Sequence, residues 1–412
     1  MRRSMYVVMA AILVCTLAAS AGAQKLYGRG RVVTPASSIE RPGDAGVRAH
    51  THLRMFEPED GRPFVGPPFS GYGYETPQSL ACVYGLVTKK TGCNPNNVTA
   101  IPTGGNRAIG IVDAYHYPTA LADLQKFSTQ FGLKAPVLQV VFASGVKPPQ
   151  DPSGGWELEE ALDLQWAHAM APAAKLILVE AASNSLADLM QAEQVASNLV
   201  AAAGGGQVTN SWGSSEFAGE TTYDSHFTTA GIVYFASSGD SPGPSYPSSS
   251  PNVVSAGGTT ISRNPTTLNF LYETPWQSAG DGISAYEPRP HYQNAIQTIV
   301  GTKRGTPDLS FDANPETGVW VYTTTPISGQ TGWFIVGGTS LSSPALAGIV
   351  NVSAKKLAST DAELTLIYGG IGNATFFNDI TSGICGPYAG YATATGWDLC
   401  TGVGSPKGKL GK

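Results

Sequence analysis

The segment Gly337-Gly338-Thr339-Ser340-Leu341-Ser342-Ser343-Pro344 holds a serine where chemistry is possible. An apolar run, Trp333 to Val336, leads into it, and an Ala/Leu/Ile-rich helical pattern follows at once. Ser340 therefore falls at a helix N-terminus, where unpaired backbone N–H groups and the macrodipole favour developing negative charge. A hydroxyl there can be a nucleophile whose tetrahedral intermediate is stabilised by those same groups. The ordinary use of Thr339 or Ser340 at such a place is helix capping. In the helical stretch Trp156 to His168, Glu159 and Asp163 are four residues apart, so both carboxylates leave one face, one turn apart. Like charges at that spacing repel, so the pair is either solvated or shares a proton. Glu157 and Glu160 fall on other faces and are expected to be solvated charges. A third pattern, Ala236-Ser237-Ser238-Gly239-Asp240-Ser241, ends an apolar strand in a Gly-Asp turn. Asp there is commonly a turn residue. In a crevice, and holding its proton, it can instead donate a hydrogen bond to an oxyanion.

These groups need a scaffold, and the pattern from Tyr74 onward supplies one. Short apolar runs at 108–112, 138–142, 175–179, 208–212, 232–236 and 253–256 alternate with helical stretches at 120–131, 156–171, 185–203 and 222–230. Strands alternating with helices predict a mostly parallel sheet covered on both faces, with active-site loops at the carboxyl ends of the strands. Residues 24–72 show no sustained period and are rich in Pro, Gly and Arg, which predicts a linker or short pro-segment.

Residues 1–23 read as a secretory signal: Arg2 and Arg3, an apolar Tyr6 to Leu17, then Ala21-Gly22-Ala23 for cleavage. That apolar stretch is too short to span a bilayer, and no later segment reads as a span, so export without a membrane anchor is expected. Cys15 lies inside this signal, leaving Cys82, Cys93, Cys385 and Cys400. Export permits disulfides, and closeness in sequence favours Cys82–Cys93 and Cys385–Cys400 among the three possible pairings. Charged residues make up only 13% of the chain and the net charge is −5, with no basic stripe, which argues against a nucleic-acid partner. Modest acidity suits work at low pH.

The three chemical patterns, in this order, resemble the sedolisin family of serine-carboxyl peptidases, which have a subtilisin-like fold. The family pattern of E-x-x-x-D on a helix, a Gly-Asp turn after a central strand, and G-T-S-x-x-x-P stands here as Glu159/Asp163, Gly239-Asp240 and Gly338-Thr339-Ser340 with Pro344. Tyr74-Glu75-Thr76-Pro77, Ala171-Pro172, Ser211-Trp212-Gly213, Gly257-Gly258-Thr259-Thr260, Pro307-Asp308 and Gly402-Val403-Gly404-Ser405-Pro406 continue the resemblance over about 73–408, with a short tail at 409–412. The resemblance implies a secreted, acid-active peptidase on a subtilisin-like three-layer α/β fold, acting as a monomer on peptides or proteins. Ser340 would be the nucleophile, Glu159 the general base, Asp163 its orienting partner and Asp240 the oxyanion donor. It also implies one calcium ion, held by the side chains of Asp379 and Asp398 and the carbonyls of Ile380, Ala394 and Gly396; oxygen ligands suit such a hard cation.

Two rival readings accompany it. A subtilisin-type triad would use Asp113, His168 and Ser340, although the His-Gly-Thr-His signature is absent and Asp240 stands where subtilisins use Asn. A non-catalytic exported protein on the same scaffold is the other. The family's large prodomain has no counterpart in residues 24–72, which are too few for one.

Overall fold

The computed structural model describes residues 29–59, 72–88, 92–353, 355–387 and 390–412. The expected signal at 1–23 lies outside the described residues. The first elements that position the site are β1 (Gly30–Val33), β2 (Arg54–Pro58), β3 (Ala108–Ala114), α1 (Ala120–Phe131), β4 (Val137–Phe142), α2 (Gly155–Met170), β5 (Lys175–Ala181) and α3 (Leu186–Ala202). Then come β6 (Gly206–Asn210), β7 (Ile232–Ser237), β8 (Val254–Arg263), β9 (Phe270–Pro275), β10 (Leu309–Asp312), β11 (Val319–Ile327), β12 (Gln330–Gly337) and α4 (Thr339–Asn351).

The central sheet runs β9-β8-β7-β6-β3-β5-β4, with β10 also laid along β8. Its pairings are parallel except β8 with β9. Strand periodicity divides β3 between two cores: Ile109 and Ile111 face one, Ala108, Val112 and Ala114 the other. Helix α3 packs on the second face, where Ser185 caps it by accepting from the Asp188 N–H at 3.1 Å. Helices α2 and α4 pack against each other on the first face. The mostly parallel sheet with helices on both faces is the expected subtilisin-like α/β architecture.

A second, antiparallel sheet, β1-β2-β12-β11, closes over the outer side of α2. Helix α2 is thus enclosed by β3, α1, α4 and β11, and all of its residues are buried. A helix buried on every side is normally apolar all round. This one carries four carboxylates, and the expectation that Glu157 and Glu160 are solvated is wrong: both are 0% exposed.

Two other expectations change. Residues 29–59 lie in the region read as linker or pro-segment, yet β1 and β2 are built into the second sheet, where Arg54 pairs with Gly337 and Phe56 with Ile335. The helix expected at 222–230 is replaced by short 3-10 turns, Glu220–Thr222 and Asp224–Phe227. Threonines weaken helical propensity there, and Tyr223 and Phe227 turn instead onto Tyr246. The Cys82–Cys93 and Cys385–Cys400 disulfides are formed. Among the described residues no helix is long and apolar enough to cross a membrane.

The α2–α4 approach depends on Gly348, where a Cβ would lie 2.8 Å from the Met170 Cβ and 3.0 Å from the Ala167 carbonyl oxygen. Gly348→Ala should therefore destabilise the protein by about 1–3 kcal/mol through overpacking, read as a lower urea midpoint at unchanged slope. An unchanged midpoint would show that the helices separate freely.

Candidate active site

Ser340 is the second residue of α4, as the Gly-Gly-Thr-Ser pattern predicts. Gly338 precedes the helix at φ 98°, and any Cβ there would sit 2.2 Å from the His52 carbonyl oxygen and 2.7 Å from Asp240 Oδ2. Only glycine fits both the backbone and the space. The Ser340 hydroxyl donates to the Ser211 carbonyl at 3.2 Å, and its backbone N–H donates to the His52 carbonyl at 3.0 Å.

Pro344 has no N–H to return to the Ser340 carbonyl one turn back. The Ser211 hydroxyl fills that gap at 3.1 Å and also approaches Asp163 Oδ1 at 2.8 Å. A hydroxyl has one proton for these two acceptors. The Ser211 hydroxyl therefore shares its proton between the Asp163 carboxyl and the Ser340 carbonyl and ties the two together.

Glu159 and Asp163 leave α2 on the face toward Ser340. Both Glu159 oxygens, and Oδ2 of Asp163, are buried without a hydrogen-bond partner. Burial lifts the Glu159 carboxyl well above the usual range, and the nearby Asp163 and Asp113 carboxyls add to the rise. The Ser340 hydroxyl opposes it from close by, though its hydrogen bond goes to Ser211 instead. Asp163 is also raised by burial, with the Ser211 hydroxyl pulling the other way. Asp113 shares strand parity with Ile109 and Ile111, so it joins this face. It is fully buried, its oxygens are unpartnered, and burial with Asp163 and Glu180 raises it. Carboxyls this close and this dry hold protons between them.

Asp240 follows β7, and its Oδ1 accepts from the Thr339 N–H at 2.8 Å and the Thr339 hydroxyl at 3.0 Å. Its Oδ2 has no hydrogen-bond partner and lies 3.6 Å from an Arg54 nitrogen. Burial lifts this carboxyl to about 6, against the pull of Arg54 and Thr339. Thr339 is thus tied to the Asp240 turn and joins α4 to β7. A cleft of about 450 Å³ opens alongside, lined by His52, Arg54, Ser214, Asp240 and Ser245 among others.

The structure brings Ser340, Glu159, Asp163 and Asp240 into one region, and it leaves His168 out. His168 bonds the Lys134 carbonyl through Nε2 at 2.8 Å, its Nδ1 is unpartnered, and burial holds its ring down at about 4. Neither nitrogen bonds Asp113 or Ser340, so a subtilisin-type relay has no hydrogen-bond path here. His52 and Arg54 escaped the sequence reading, where only the alternation of Leu53 and Met55 about Arg54 hinted at a strand.

Toward the C-terminus, Asp379 and Asp398 converge on one turn. Asp379 Oδ2 accepts from the Gly396 N–H at 2.8 Å, and Asp398 Oδ2 from the Ala394 N–H at 2.9 Å. Asp398 Oδ1 accepts from the N–H groups of Cys400 and Thr401, and burial raises this carboxyl. Ile380 is buried beside them in sequence. Among the described residues no group of three or more His, Cys, Asp or Glu side chains is placed to hold a metal ion.

No family model matches the chain. Kumamolisin of Bacillus sp. (strain MN-32) is 27% identical over 92% of this chain and 78% of its own length. Sedolisin of Pseudomonas sp. (strain 101) is 28% identical over 87% of this chain; the match spans 64% of that relative. Among solved structures, Pseudomonas sedolisin, a serine-carboxyl proteinase complexed with two molecules of pseudo-iodotyrostatin, superposes with a TM-score of 0.67 at 26% identity. That match covers 81% of this chain and 95% of the other. The fold and these likenesses define a serine-type peptidase. They support the sedolisin family, with its subtilisin-like fold.

Burial of acids also sets the response to pH. Desolvation lifts Glu193 and Glu220 to about 8, Glu287 to about 9 and Glu363 to about 7. An unfolded Glu titrates at about 4.3, so below that pH both states are protonated and stability is fully present. Above it the folded chain holds more protons, and stability is lost as pH rises through the folded values. Tm should peak in acid near pH 4 and fall toward pH 9 in a calorimetric series. A Tm that climbs over that range would contradict this account.

Proposed function

We propose that this protein is exported and hydrolyses peptide bonds in peptides or proteins under acid conditions, as a monomer. The observation that carries the proposal is the meeting of Ser340, at a helix N-terminus, with the dry, unpartnered carboxyl of Glu159. In this reading Ser340 attacks the scissile carbonyl and Glu159 takes its proton as general base. Asp163, tethered by Ser211, orients Glu159 and shares its proton. Asp240, protonated, and the Ser340 N–H donate to the oxyanion. Glu159 and Asp163 titrate as a coupled pair, so one carboxyl can keep the shared proton while the other ionises and takes the Ser340 proton.

The test is a mixed peptide library incubated at about pH 3–5, with the products sequenced. Glu159→Gln should lower kcat by about 10²–10⁴-fold, Ser340→Ala should abolish turnover, and His168→Ala should spare it. Loss of activity with the His168 variant alone would favour the subtilisin-type reading. Because Asp240 must be protonated to donate, activity should fall as pH rises through about 6. Undiminished turnover at pH 8 would reject Asp240 as donor.

The donor set near the C-terminus fits a calcium ion in kind. Asp379 and Asp398 face one turn, and the hydrogen-bond partners of both carboxylates are N–H and O–H groups, not cationic side chains. Their carboxylates, with the carbonyls of Ile380, Ala394 and Gly396, would hold it. The ion would supply charge neutralisation that locks this loop, already tethered by Cys385–Cys400. Adding a calcium chelator should lower Tm, and Asp398→Ala should remove that sensitivity; a chelator-independent Tm in the unaltered protein would argue against the site.

A further inference from the structure

One wall of the cleft is a short antiparallel pair, with Ser214 and Ser215 laid against Tyr246 and Ser245. Carboxyl groups join this wall to the strand Gly282–Pro288. Glu216, next after Ser215, accepts from the Ser284 hydroxyl and from the Ala285 N–H at 2.9 Å. The Tyr246 hydroxyl donates to Asp224 at 3.3 Å. Glu220 accepts from the Phe217 N–H at 2.8 Å and the Ser249 hydroxyl at 3.2 Å. From the strand, Glu287 meets this group. It is fully buried, neither of its oxygens has a hydrogen-bond partner, and the charged groups acting on it are Asp224, Glu220 and Glu216.

Dry carboxyls that face one another with no donor between them stay together only while they hold protons, because a second negative charge is repelled by the first. No basic group is among those acting on Glu220, Asp224 or Glu287. Of the nearby basic side chains, Lys303 and Arg289 bond the Tyr286 and Gly301 carbonyls, and His226 stacks on Tyr223. Tyr246 and Tyr292 also face Asp224, and burial pushes both phenols up, so they stay neutral. We propose that these four carboxyls form an acid clasp, which holds the cleft wall on the strand Gly282–Pro288 while protonated and releases it when its protons are lost. Its bearing on substrate rests on the peptidase reading, since the wall lines the cleft beside Asp240. Desolvation lifts Glu220 to about 8 and Glu287 to about 9. An unfolded Glu titrates at about 4.3, so the clasp is complete below that pH and is lost as pH rises through the folded values.

The experiment follows hydrogen–deuterium exchange along the full chain, carrying Ser340→Ala to remove turnover, at about pH 6 and about pH 9. After correction for intrinsic exchange, residues 213–217 and 282–288 should exchange about 10-fold faster or more at the higher pH, while 175–181 in the central sheet stays protected. Glu287→Gln and Asp224→Asn, made separately in the same background, each remove one of the facing charges and should suppress the rise. Exchange that is flat with pH overturns the inference. So does an undiminished rise in both variants, or a loss of protection spread evenly over the whole chain. Peptide hydrolysis by the chain with Ser340 intact is measured alongside at about pH 4. Hydrolysis with flat exchange overturns the clasp and leaves the peptidase reading standing; the expected exchange without hydrolysis supports the clasp and overturns the peptidase reading.

Discussion

Desolvation of carboxyl groups is the constraint on which the rest of this structure depends. An isolated ionised carboxylate taken out of water loses several kcal/mol even after the protein relaxes. Helix α2 nevertheless carries Glu157, Glu159, Glu160 and Asp163 inside the protein. Among the described residues none of the groups acting on Glu159 or Asp163 is basic. The remaining solution is protonation, and the surroundings are arranged for it. Asp113 comes from β3, Asp163 from the next turn of the helix, and one serine hydroxyl has its single proton contested. The dry acid core and the acid chemistry proposed for Ser340 thus have one physical origin.

The helix-start geometry depends on residues that do no chemistry themselves. Pro344 opens the carbonyl of Ser340, and Ser211 closes it again while touching Asp163. Gly338 admits a carbonyl and a carboxyl oxygen to the space a side chain would fill. These contacts couple the nucleophile, the carboxyl pair and the Asp240 turn through hydrogen bonds between four separate elements. Thr339 completes the coupling, bonded both to the Gly239 carbonyl and to Asp240.

Strand β11 of the second sheet packs on α2 and helps keep its carboxyls dry. Residues 50–54, which lead into β2 of the same sheet, pass Ser211, Ser340 and Asp240, so the N-terminal segment ties the second sheet to the nucleophile region.

Much of the site was legible from local pattern. Four-residue spacing puts Glu159 and Asp163 on one helix face whatever surrounds them, and an apolar strand running into Gly-Gly-Thr-Ser starts a helix at Ser340 for local reasons. Alternating strands and helices imply the parallel sheet, and short separations favour the two disulfides that formed. Burial was not legible. Glu157 and Glu160 read as solvated because periodicity reports which face a residue takes, never whether another layer covers it. Nor could local pattern place His52 and Arg54, whose positions come from pairing with strands far along the chain, at Trp212 and Gly337. The sequence by itself determined which groups could react and how neighbours along the chain are spaced. The tertiary structure decided which of them are dry and which stand close enough to share protons, because desolvation and strand pairing act between segments that sequence proximity does not link.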